Sequence, residues 1–126
     1  MFSEMRLAAL LGKVITKDAS SLPAWQILQM ATINGARALA MDDQIGSLEC
    51  DKLADVIAVD LNHIKTQPVY DPVSALVYSA HSEQVSHSWV HGQLLMENRQ
   101  LKRMDLQAIL AEAAHWGSKI REAATS

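Results

Sequence analysis

The stretch ATINGARALAMDDQIGSLECDKLADVIAVD, Ala31 to Asp60, carries two hydrophobic rhythms separated by a polar break. Its first part continues a helical pattern that opens near Ser21, with Pro23 in the first turn, where a missing N–H costs nothing. We read this helix to about Ala40, with Ala24, Leu28, Ala31, Gly35 and Ala38 along one side, a stripe small enough for close helix packing. MDDQIGSLECDK ends it. LADVIAVDL, Leu53 to Leu61, is β-branched and apolar on both faces at its centre, the pattern of a buried strand.

Outward from this core, Phe2 to Ile15 reads as a helix with Leu7, Leu10, Leu11 and Val14 on one face at the i, i+3, i+4, i+7 spacing. In YDPVSALVYSA, Asp71 can cap a helix and Pro72 takes its first position, which turns Val73, Leu76, Val77 and Ala80 inward. QVSHSWVHGQLLMEN reads as a hairpin whose two strands flank His91-Gly92. Asp105 can cap a last helix in which Leu106, Ile109, Leu110, Ala113 and Ile120 repeat on one face. The order is helix, helix, strand, short helix, hairpin, helix, an α+β chain. Three strands make an uncomfortable sheet unless something covers or extends it.

Composition bounds the function. The 126 residues fit one domain and can bury a usable core. With 14 acidic and 11 basic residues, a net charge of -3 and no long basic run, nucleic acid is not an expected partner. Apolar runs fall far short of a membrane span, and the opening segment, with an early Glu4, lacks a signal-peptide pattern. The lone Cys50 has no intrachain partner, so a cytoplasmic setting is the expectation.

Catalytic constellations are hard to find. The five histidines are His63, His81, His87, His91 and His115. His87 and His91 in HSWVH would share a metal on a helix, but on a strand they stand roughly 13 Å apart, too far for joint ligation. There is no His-x-His, Cys-x-x-Cys, His-Glu-x-x-His or Gly-x-Ser-x-Gly. Cys50 lies between Glu49 and Asp51, whose charges oppose a thiolate. Asp42, Asp43, Glu49 and Asp51 read as a solvated rim, and Trp25, Trp89 and Trp116 as core or interface anchors. We therefore assign no catalytic, cofactor-binding or metal-binding residue.

Five segments in order, MFSEMRLAALL, MATINGARALA, IGSLECDKLADVIAVDL, DPVSALVYSAH and VSHSWVHGQLLMENRQL, together resemble the C-terminal region of the amidohydrolase superfamily. The resemblance, over Met1 to Leu101, is to the branch of S-adenosylhomocysteine/5-methylthioadenosine deaminases and triazine chlorohydrolase-like enzymes. It implies part of a TIM barrel: residues 1–40 as late-barrel helices, 45–101 as strands of the accessory β-sandwich with a helix at 71–80, and 105–122 as a C-terminal helix, all in a single domain of residues 1–126. Such enzymes carry zinc or iron on a His-x-His pair, two further histidines and an aspartate of earlier barrel strands. The metal polarises a water that attacks a ring carbon. None of those positions falls in this chain, so no functional residue transfers and no metal is expected on it. Two departures fall at backbone punctuation: Cys50-Asp51 where the family has Pro-Gly, and Ala40 where it has a helix-ending glycine.

Three roles follow as expectations: a non-catalytic C-terminal portion of such a hydrolase, a binding or assembly module, or one piece of a split enzyme. Because the resemblance leaves the helices and strands without the surfaces they pack on, self-association, most simply as a homodimer, is also expected.

Overall fold

The computed structural model describes residues 1–124, and its elements follow from local rules. Helix α1 (Phe2–Thr16) ends at Lys17, whose φ of 55° turns the chain through the left-handed region. Helix α2 (Ala24–Ala31) starts after Pro23, which is the N-cap rather than a first-turn residue. Helix α3 (Ile33–Ala38) follows at once. Strand β1 (Val56–Val59) comes next, then helix α4 (Pro72–Tyr78), strand β2 (Val85–Val90), strand β3 (Gln93–Glu97), strand β4 (Gln100–Leu101) and helix α5 (Leu106–Ala124). Asp71 caps α4 by accepting from Val73 N at 3.3 Å and Ser74 N at 3.0 Å. Asp105 caps α5 in the same way, accepting from Gln107 N and Ala108 N, each at 3.0 Å.

The sheet is antiparallel throughout, in the order β1-β2-β3-β4. Val56 lies opposite Trp89 and Ala58 opposite His87. The β2–β3 turn is His91-Gly92, with φ of 51° and 72°, the two positive values that match the twist of a tight hairpin.

Four expectations need correction. The helix read from Ser21 to Ala40 breaks at Thr32 (φ -124°, ψ -98°). Thr32 Oγ1 donates to Leu28 O at 2.8 Å, and its own carbonyl accepts from Ala36 N at 2.9 Å to start α3. The break brings Gly46 against α3. A Cβ at Gly46 would stand 2.8 Å from Ala36 Cβ and 2.9 Å from Ile33 Cα, so the turn closes on the helix only because no side chain intervenes. The small-residue stripe is correspondingly redistributed: Ile27 and Ala36 are the buried residues, while Ala38 is exposed.

Strand β1 is shorter than Leu53–Leu61 and is not buried on both faces, since Ile57 is 51% exposed. The sheet gains a fourth strand through a second turn, Asn98-Arg99, again with two positive φ values (48° and 65°). Asparagine, which tolerates that region, is the signal the reading overlooked.

The largest correction concerns which faces are inward. Met5 and Ala9 of α1 pack with Ile27 of α2 and Val77 of α4 to form the core, with Phe2, Leu22, Leu28 and Tyr78 around it. The face of Leu7, Leu10, Leu11 and Val14 lies opposite and is exposed. Helix α5 has no buried residue, so its apolar stripe and Trp116 face outward, and Trp25 is also more than half exposed. Trp89 alone of the tryptophans is partly buried, stacked on His87 at 5.5 Å. The accessible surface is 9179 Å². A compact monomer of this mass exposes about 6,700 Å², so the excess is roughly 2,500 Å².

Ala40 (φ 54°) and Asp51 (φ 69°) both occupy the left-handed region at the two places where the family pattern carries glycine. Ala40→Gly should therefore stabilise the chain by about 0.5–1 kcal/mol, and Asp51→Gly by less, because aspartate tolerates this region better than alanine. Urea denaturation at fixed protein concentration reads the change, and a destabilised Ala40→Gly would contradict the assigned backbone. Gly46→Ala, which adds a clash to a φ of +90°, should cost about 2–3 kcal/mol in the same measurement.

Candidate functional site

The loop from Met41 to Leu53 gathers most of the polar chemistry around one ammonium group. Met41 O accepts from Gln44 N and Ile45 N, each at 2.9 Å, and Leu53 N donates to Gln44 O at 2.8 Å, closing the loop's neck. Lys52 threads back into it. Its Nζ donates to Asp42 O at 2.6 Å and Ser47 Oγ at 2.7 Å, and lies 2.8 Å from Glu49 Oε2. Three partners occupy the three N–H directions of an ammonium. The side chain is only 13% exposed, so the group acts as a fastener rather than a nucleophile.

Glu49 is held below its ordinary carboxylate value of 4.5 by the Lys52 hydrogen bond, then by that from Ser47, then by the charge of Lys52. Beside the loop, Arg37 Nη1 donates to Asn34 Oδ1 at 3.0 Å and Nε lies 3.7 Å from Asp42. Trp25, Leu28, Ile33, Arg37, Leu48 and Lys52 line an open cleft of about 660 Å³ there. Two of the four rim carboxylates are engaged in the loop: Asp42 meets Arg37 and Glu49 meets Lys52.

The histidines are dispersed. His63 Nδ1 accepts from Lys65 N at 3.2 Å, His81 Nδ1 lies 2.8 Å from Ser79 O, and His87 Nδ1 lies 2.9 Å from Ser86 Oγ. His91 sits in the hairpin turn, and His115 lies edge-on to Trp116 on α5 at 6.3 Å. Cys50 is exposed. Among the described residues no three His, Cys, Asp or Glu side chains converge as a metal site. No helix among them is long and apolar enough to cross a membrane.

One polar residue escaped the sequence reading altogether. Gln84 is 1% exposed, and its Nε2 donates to Asp60 O at 3.0 Å and Thr66 Oγ1 at 3.2 Å, while Oε1 accepts from His81 N at 2.9 Å. It ties the segment after β1 to the entry of β2. A glutamine three residues after His81 carries only a faint capping signal.

Comparison with known proteins shows the family. The amidohydrolase family profile matches residues 1–95. The chain belongs to the amidohydrolase family. It is 47% identical over 120 residues to a 5-methylthioadenosine/S-adenosylhomocysteine deaminase of Teredinibacter turnerae, covering 95% of this chain and 27% of that protein. Among solved structures, an adenosine deaminase from Xanthomonas campestris with bound zinc superposes with a TM-score of 0.93 at 43% identity, over 97% of this chain and 28% of the other. Zinc-complexed atrazine chlorohydrolase from Arthrobacter aurescens gives 0.83 at 31% identity, over 91% and 26%.

This amidohydrolase chain therefore spans about a quarter of the length of the relatives it matches, and its helices and small antiparallel sheet are part of a barrel architecture. The zinc named for those structures finds no fitting donor set among the described residues.

Replacing Lys52 by Met keeps the stem and removes the fastener. The expected cost is about 1–2 kcal/mol, from leaving Asp42 O and Ser47 Oγ without their partner, read as a lower urea midpoint. The pH sign follows from Glu49: its folded value is lowered, so its contribution is present above 4.5 and fades as pH falls through the folded value. The wild-type advantage over Lys52→Met should therefore narrow on acidification from pH 6 to about pH 3, and a gap that widens would refute the assignment.

Proposed function

We propose that this chain is the non-catalytic C-terminal portion of a metal-dependent amidohydrolase that hydrolytically deaminates or dechlorinates a purine- or triazine-like ring. Residues 1–40 act as late-barrel helices and 45–101 as sandwich strands, with Lys52 and Gln84 fixing the loops that join them. The observation that carries this reading is the outward face of α1. Leu7, Leu10, Leu11 and Val14 form a continuous apolar stripe, 48–71% exposed, on a segment strongly similar to deaminases several times longer. A helix apolar on two opposite sides is built to sit between two layers. Its own core accounts for one, and the remainder of a barrel accounts for the other. The purine side of the substrate class is supported by the names of the deaminase relatives, and the triazine side by the chlorohydrolase.

Two measurements test it. The isolated chain, dialysed and then supplied with zinc, should retain no stoichiometric metal and release no ammonia from 5-methylthioadenosine or adenosine, because an activated water needs a metal that brings its pKa near neutrality. Chelator-sensitive ammonia release by the chain alone would overturn the non-catalytic reading. A chimera in which this chain replaces the matching segment of the Teredinibacter turnerae deaminase should fold, hold zinc and turn over that enzyme's substrates. A folded, zinc-loaded but inert chimera would remove the scaffold role.

A further inference from the structure

We draw no further inference here: the strongest candidate, the apolar groove that Met5, Leu28, Ile57, Leu76, Trp89 and Val90 line between the helices and strands β1 and β2, is an unpartnered face of a chain that spans about a quarter of its relatives, and nothing in the structure shows what covers it.

Discussion

Ile27 and Val77 close on Met5 and Ala9, and the rest of the structure depends on that one contact. It decides which side of α1 is inside. Ala9 is fully buried, and Gly12 lets Leu22 approach so closely that a Cβ there would fall 2.2 Å from Leu22 Cδ1. Small residues on this side allow α2 and α4 to come near, and a close approach gains many weak contacts at once. The leucine side offers more apolar area, but its residues stay 48–71% exposed. Local close packing thus claims the narrow face and leaves the wide one for a separate surface, which is why the accessible area runs well above that of a compact chain of this mass.

The second organising interaction is electrostatic. Lys52 fastens Asp42 O, Ser47 and Glu49, and this fastening fixes where β1 begins and where Gly46 meets α3. Ala40 and Asp51 retain the left-handed backbone that glycine would adopt at lower cost. The turn is therefore held by its hydrogen bonds and by Gly46, not by the two positions where the family pattern carries glycine. That is how a substituted segment keeps the geometry of its relatives, and it places the loop's polar residues in the service of shape. Lys65 with Glu83 and Lys102 with Glu97 are exposed pairs that add little by comparison.

Much of this was legible beforehand where a single residue type answers a local demand. Asp71 before Pro72, Asp105 before Leu106 and His91-Gly92 between two strand-like runs each satisfy orphan backbone groups or a required φ within a few residues. The break at Thr32 was not legible, because the turn that packs against it, at Gly46, lies fourteen positions away. Nor was the role of Gln84, whose partners Asp60 and Thr66 come from another segment.

The sequence by itself determined most of the elements, the Asp71 and Asp105 caps, the His91-Gly92 turn and the similarity to amidohydrolases, because these rest on periodicity, on capping chemistry and on runs of residues in order. Tertiary structure alone decided which apolar face of α1 is buried, that α5 stands clear of the core, and that the Lys52 ammonium is spent on its own loop. A helix with two apolar faces has the same periodic signature whichever one is covered. Only the arrival of Ile27 and Val77 from distant parts of the chain distinguishes them, since burial belongs to pairs of surfaces and not to a single helix.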